Sequence, residues 1–301
     1  MIPFHEIELN DRSWMEPLLR AEYLDCEEFS FTFCYLWRKA YHYQVARMND
    51  YLLLIAYPQF PERTSYLFPA GTGDLKPVIE ALRSDADQRH IPLRFHTLTA
   101  TQRAKLEALY PDQFAYTEMR DYADYIYTSE SLRTLTGKKL HGKRNHINRF
   151  METYPNWRYE PITPANIDEC RAMSKQWCLN SDCDQNDDLK KEACALEQAF
   201  THFEALGFSG GALRAGGEIV AFSMGDPLNA DTFMVHFEKA FSEVPGAYPM
   251  INQQFVIANC ESYAYVNRQD DMGAEGLRKA KLSYHPFRIV EKYSAIWKGQ
   301  A

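Results

Sequence analysis

The sequence predicts a mixed α/β protein made of two tandem units, residues 1–132 and 133–301, each a mixed sheet flanked by helices. Three observations carry this expectation. The length of 301 residues suits two domains of ~150 residues each. The second half alternates helical and strand periodicities in a definite order. The first half repeats the later part of that order at a nearly constant offset.

The second half is the more legible. Leu140, Ile147, Met151 and Tyr154 share one face of a helix predicted over 138–154, stopped by Pro155 and Asn156. A short strand is expected over 157–161. Thr163-Pro164 then opens a helix that turns Ile167, Cys170, Met173 and Trp177 inward. A polar loop spans 180–188, and another helix runs from about Leu189 to Gly207. Beyond it the period changes. Strands over 210–213 and 218–224 are joined through Gly216-Gly217, and a third covers 231–237. A helix opens at Gly246 and continues to Cys260, followed by a strand over 263–266, a helix over 274–284 and one long final strand over 288–297. A three-strand meander followed by helix, strand, helix and strand suggests the acyl-CoA N-acyltransferase (GNAT) fold.

The first half offers strands over 43–45, 51–57 and 65–68, a helix over 75–90, a strand over 93–96, a helix over 101–110 and an aromatic strand over 122–127. Aligning Tyr66 with Phe233, Arg94 with Tyr265 and Tyr125 with Tyr293 gives offsets of 167, 171 and 168. This reads as a divergent duplication whose first copy is a degenerate GNAT-like domain. The alternative is two unrelated α/β pieces.

Composition narrows the function classes. At 46% hydrophobic and 14% aromatic residues, the chain can bury sizeable cores, so extensive disorder is excluded. A net charge of −8 argues against a dedicated nucleic-acid binder and leaves RNA only a local basic patch. The first residues show neither the basic nor the apolar region of a secretory leader. The longest apolar run, Tyr51 to Tyr57, is strand-length, far short of the ~20 residues of a membrane-spanning helix. Seven cysteines without a Cys-x-x-Cys pair read as reduced thiols rather than a metal centre. A cytoplasmic location follows from these readings. P-loop, nucleophile-elbow, zincin and Rossmann fingerprints are missing.

Three constellations could carry chemistry. The first runs from Tyr265 to Pro286. Asn267, Arg268, Asp270 and Asp271 follow a strand's carboxyl end, where α/β sheets build their sites. Leu277, Ala280, Lys281 and Tyr284 form one stripe of the next helix, which puts Lys281 against either solvent or a buried anion. Asp270, Asp271 and Glu275 either cap that helix or receive a cationic amine. The second constellation is Met234 to Lys239 with Gly246 to Gln254. His236 and Glu238, two apart on a strand, are candidate general bases, and the helix N-terminus at Gly246 could receive a phosphate. The third is the basic run Lys138 to Arg149, in which Arg144 lies on the apolar side between Leu140 and Ile147 and calls for an inward partner. That partner is a phosphate or a buried carboxylate.

These three segments resemble a bacterial family related to the C-terminal domain of phosphatidylglycerol lysyltransferases, and the likeness covers nearly the whole chain. Such proteins, like Fem-type aminoacyltransferases, have two GNAT-like domains and move an aminoacyl group from charged tRNA to an acceptor. The resemblance implies a donor site at Val235, His236, Phe237 and Glu238 with Gly246, Tyr248 and Asn252. It further implies a pocket lined by Asn267, Asp271, Gly273, Glu275, Gly276, Arg278 and Lys281. Lys281 and Arg144 are expected to hold the donor's phosphate, and Lys143 is a further candidate for donor or substrate binding. The segment Pro245 to Pro249 departs from the usual acetyl-CoA pyrophosphate motif, and the lysyltransferases' membrane flippase has no counterpart here.

The expected function is therefore acyl or aminoacyl transfer from acyl-CoA or aminoacyl-tRNA to an amine or hydroxyl on a small-molecule, lipid or peptide acceptor. No tightly bound cofactor or metal is expected, and tRNA contact is expected to be weak and confined to the basic helix. The alternative is a non-catalytic protein that uses the GNAT pocket for a cationic small molecule such as an amino acid.

Overall fold

The computed structural model describes residues 1–181 and 183–299. Asp182, inside the expected 180–188 loop, lies outside the described residues, as do the last two residues. In chain order the elements are β1 (His5–Glu6), α1 (Arg12–Arg20), α2 (Phe31–Tyr41), β2 (Gln44–Met48), β3 (Tyr51–Ala56), β4 (Ser65–Tyr66), β5 (Ala70–Gly71), α3 (Lys76–Gln88), β6 (Arg94–Thr99), α4 (Ala100–Leu109) and β7 (Phe114–Glu118). There follow β8 (Asp124–Thr128), α5 (Ser129–Thr134), α6 (His141–Thr153), β9 (Arg158–Pro161), α7 (Ile167–Asn180), α8 (Asp187–Thr201), β10 (Ser209–Ala215), β11 (Glu218–Pro227) and β12 (Thr232–Ala240). The chain ends with α9 (Ala247–Asn259), β13 (Tyr265–Asn267), α10 (Glu275–Leu282), β14 (Arg288–Val290) and β15 (Lys292–Trp297).

Local chemistry sets the boundaries. Ser30 caps α2 by accepting the Phe33 N–H, and His42 ends that helix in the left-handed region. Thr99 and Gln102 form a reciprocal capping box at α4. Pro77 occupies the first turn of α3. Asn186 caps α8 through two backbone N–H groups. Sequence reading missed β1, α1, α2, β5, β7 and α5.

Two compact units form, each a mixed sheet with helices, as the sequence predicts. The first comprises Met1–Asp124, Asp270–Ala274 and Ile289–Ala301, and the second Tyr125–Gln269 and Glu275–Arg288. The expected division at 132/133 is thereby corrected. The first sheet runs β1-β2-β3-β4-β6-β15-β7, with β5 beside β3, and the second runs β14-β8-β13-β12-β11-β10-β9. Read from opposite ends, the two orders match place for place. Each has an antiparallel run, then one parallel pair, β4 with β6 and β12 with β13, then an antiparallel strand.

The matching extends to register. Tyr66 opposes Phe95 as Phe233 opposes Val266, and Phe95 opposes Ala295 as Val266 opposes Tyr127. These pairs reproduce the offsets of 167, 171 and 168 read from the sequence. The duplication is real, with one correction. The strand next to each parallel pair comes from the other half of the chain: β15 completes the first sheet and β8 the second. The single long strand expected over 288–297 is accordingly two strands in two different sheets.

The first core gathers Leu53, Tyr66, Phe68, Leu82, Phe95 and Phe114, and the second buries Phe222, Phe233, Phe237, Met250, Phe255 and Val266. Each such side chain contributes roughly 1.5–3 kcal/mol. Cys178 and Cys183 form a disulfide, which corrects the expectation of reduced thiols throughout, whereas Cys26, Cys34, Cys170 and Cys260 are buried free thiols and Cys194 is exposed. No helix among the described residues is long and apolar enough to cross a membrane.

One polar cluster is embedded in the first unit. The Lys292 ammonium, fully buried, lies 2.7 Å from Asp124, 2.8 Å from Glu28 and 3.3 Å from Glu27. Neighbouring carboxylates hold its pKa well above the ordinary lysine value against the opposing effect of burial. Lys292→Ala leaves three buried carboxylates without their cation, and a loss of about 3–5 kcal/mol is expected in urea unfolding. A loss under about 1 kcal/mol contradicts this reading.

Candidate functional site

The second unit opens where its parallel strands part. β12 pairs with β13 at Thr232, Phe233 and Met234, opposite Tyr265, Val266 and Asn267, and the pairing ends there. The remaining six residues of β12, Val235–Ala240, continue without β13 beside them. On the other side the ladder with β11 skips His236, since Met224 opposes Phe237 and Gly225 opposes Val235. A bulge of this kind commonly re-aims side chains beside a site.

Side chains from three elements meet at this opening. Glu238 on β12 accepts 2.8 Å hydrogen bonds from Arg268, just past β13, and from Asn252 on α9. Glu238 and Arg268 are both about nine-tenths buried, 12% exposed each. Tyr127 of β8 and Tyr284 flank the guanidinium at 5.5 and 4.7 Å from their ring centres. Lys143 of α6 stands 4.0 Å over the Tyr284 ring. Burial and the nearby Arg268 charge lower the Lys143 pKa, opposed by Glu238. Lys143 has no ion-pair partner among the described residues, so the cluster holds two cations against one carboxylate. One guanidinium nitrogen of Arg268 and the Asn252 carbonyl oxygen are buried without a hydrogen-bond partner. Unfilled donors and acceptors of this kind are costly in a core and call for an explanation such as a ligand.

Of the expected site residues, the structure brings together Glu238, Asn252 and Lys143, with Val235 and Phe237 in the parted strand. Arg268 joins them. Its position immediately past a strand's carboxyl end was its signal in the sequence. Tyr127 and Tyr284 gave none, because neither their spacing nor their composition differs from ordinary core.

The structure gives the other expected residues these places and partners. His236 is buried and bonds Asp226 at 2.7 Å, so it has a partner separate from that of Glu238. Arg144 donates to the carbonyls of Leu135 and Gly137, which satisfies the orphaned end of α5 rather than a phosphate. Lys281 is buried, and its ammonium donates to the carbonyls of Arg268 and Gln269. The expected stripe also shifts, since Leu277 is 44% exposed. Glu275, at the start of α10, is exposed, and Arg278 is half-buried on the same helix. Asn267 is buried at the end of β13 and accepts the Gln269 N–H at 2.6 Å. Asp271 and Gly273 belong to the first unit. There Asp271 pairs with Arg120 at 3.4 Å and accepts the Gly273 N–H at 3.0 Å, a clasp that holds its own loop. Tyr248 accepts a 3.2 Å hydrogen bond from the Trp177 indole, and burial raises its pKa. Gly246, at φ +84, begins α9 where an added Cβ would lie 2.2 Å from the His146 carbonyl oxygen. Its glycine serves the packing of α6 on α9, not the approach of a donor.

Lys281→Met removes two hydrogen bonds from a charged donor and should cost roughly 1.5–3 kcal/mol in chemical denaturation. A loss below about 0.5 kcal/mol shows that the two carbonyls do not need the ammonium.

Comparison with known proteins accords with this geometry. A crystal structure of a conserved protein of unknown function from Bacteroides thetaiotaomicron is 45% identical, covers 99% of this chain and 100% of its own, and superposes with a TM-score of 0.93. The C-terminal domain of a candidate lysylphosphatidylglycerol synthetase from Agrobacterium fabrum shares the fold at 13% identity, 97% and 93% coverage and a TM-score of 0.67. The L-PGS of Bacillus licheniformis does so at 18% identity, 84% and 83% coverage and a TM-score of 0.60. An uncharacterized protein of Mycoplasmoides gallisepticum is 24% identical over 173 residues, so the match spans 56% of this chain and about half, 54%, of that curated relative. The model of the family "Phosphatidylglycerol lysyltransferase, C-terminal" matches residues 20–296. The chain is a member of the phosphatidylglycerol lysyltransferase C-terminal family.

Proposed function

We propose that the second unit transfers an acyl or aminoacyl group from an activated donor to an amine or hydroxyl acceptor. The observation that carries this reading is the parting of β12 and β13 with Glu238, Asn252 and Arg268 gathered in the gap. A strand freed from its neighbour can turn backbone N–H groups toward a reacting carbonyl, and a carboxylate in the same gap can take a proton.

The acceptor's nitrogen or oxygen attacks the donor carbonyl carbon, and the carbonyl π pair moves onto oxygen. The bulged stretch Val235–Phe237 supplies backbone dipoles to that oxyanion. Glu238, paired with Arg268 and held by Asn252, accepts the proton that the attacking atom loses. As the carbonyl reforms, the bond to the leaving oxygen or sulfur breaks, and that atom takes the proton from Glu238. Lys143 is the cation best placed for the donor's phosphate, whether on tRNA or on coenzyme A. Membership in the phosphatidylglycerol lysyltransferase C-terminal family favours an aminoacyl donor and a lipid acceptor, and both belong to this proposal.

The test supplies labelled lysyl-tRNA with phosphatidylglycerol vesicles in one arm and labelled acetyl-CoA with a panel of amines in the other. Transfer in either arm that falls about 100-fold or more in Glu238→Gln, with unfolding unchanged, is the expected result. Transfer that Glu238→Gln leaves intact, or no transfer in either arm, overturns the proposal.

A further inference from the structure

The first unit, expected from its sequence to be degenerate, contains a cavity of about 30 Å³. One water needs about 10–15 Å³ of such space, so the cavity admits a small polar group. Glu28, Tyr43, Ser65 and His96 line it together with Phe33 and Tyr66. Among the described residues, no protein group hydrogen-bonds the Tyr43 hydroxyl, the Ser65 hydroxyl or the His96 ring. Three polar side chains that line one space with no protein partner set it apart from an ordinary packing defect, which is apolar.

The wall is arranged for acceptance rather than donation. The ladder between β6 and β15 breaks between Phe95 and Leu98, and Thr97 in that bulge has φ +58, uncommon for a β-branched residue. The bulge brings His96 to the cavity. Burial holds the His96 pKa down to about 4, with Lys292 and Arg94 adding to the effect, so the imidazole is neutral near pH 7 and offers one bare ring nitrogen. Glu28 takes two contacts from Lys292, at 2.8 and 2.9 Å, and one from the Cys26 thiol at 2.8 Å. A carboxylate has about four acceptor positions, so one remains. One ammonium, Lys292, faces the carboxyl groups of Glu27, Glu28 and Asp124. Burial, which outweighs the pull of Lys292, raises the Glu27 pKa well above the usual carboxylate value.

We infer that this cavity binds the ammonium end of a primary alkylamine, at a site separate from the parted strands of the second unit. Three N–H bonds meet the free position of Glu28, the bare nitrogen of His96 and the hydroxyl oxygen of Tyr43 or Ser65. An anion meets carboxylate and lone pairs, and a quaternary ammonium has neither the donors nor the size to enter.

The test titrates the full chain with n-butylammonium chloride, followed by calorimetry and by the unfolding midpoint, with n-butanol and tetramethylammonium chloride as controls. Butylammonium is expected to bind saturably and raise the midpoint, while the controls do neither. Tyr43→Phe and Ser65→Ala each remove one oxygen and keep the volume of the wall nearly unchanged. Together, in the double variant, they are expected to weaken butylammonium binding about fivefold or more while the chain stays folded by circular dichroism. The inference is overturned if butylammonium shows no saturable binding, if butanol binds equally well, or if the Tyr43→Phe/Ser65→Ala double variant binds like the wild type.

Discussion

The buried ammonium of Lys292 is the constraint on which the rest of the fold depends. Removing an ammonium from water costs several kcal/mol unless carboxylates with good geometry receive it. Here they are Glu27 and Glu28, in the turn before α2, and Asp124, the first residue of β8. The strand that carries Lys292 can therefore settle only where those three groups are, between β6 and β7 of the first sheet. Asp124 also accepts the Glu27 N–H at 2.8 Å, which fixes the point at which the chain leaves the first unit. One charge cluster thus selects the exchanged pairing of β8 and β15 over a simple tandem, although both strands carry the aromatic pattern of either sheet.

The same duplicated frame supports two different kinds of chemistry. In the second unit the parallel pair β12 and β13 separates early, and Glu238, Arg268 and Asn252 occupy the opening. In the first unit the parallel pair is short, and the polar groups lie in a bulge of β6 and the turn before α2. Arg268 is stabilised by Glu238 and by two aromatic rings, so its charge is held in place while one nitrogen stays unfilled. An aromatic box of this type preserves a cation at low dielectric without neutralising it completely.

The sequence disclosed the duplication because register depends on local period, and three aromatic anchors sufficed to set the offsets. The strand exchange left no trace in it, because Tyr125 and Tyr293 are equivalent positions in either arrangement. Glu238 and Asn252 were legible as polar residues in a strand and a helix that pack on one another. Lys281 and Arg144 were legible only as cations that need an inward partner. A cation on an apolar stripe signals an inward partner, but spacing does not distinguish a substrate anion from backbone carbonyls left open at a helix end or a turn. The cavity of the first unit was invisible because its lining comes from Glu28, Tyr43, Ser65 and His96, far apart in the chain and without a motif among them.

Cross-linking across β15 tests the exchanged strand directly. Ser294 opposes Thr117 in the first sheet. In an unexchanged tandem the repeat offset of 168 would instead set Ile296 opposite Tyr265, where Thr128 stands here. One double variant, Ser294→Cys/Thr117→Cys, and another, Ile296→Cys/Tyr265→Cys, are oxidised mildly and read by peptide mass spectrometry. The account expects the 117–294 disulfide to form readily and the 265–296 disulfide not to form. The reverse outcome would place β15 in the second sheet and contradict the role given to Lys292.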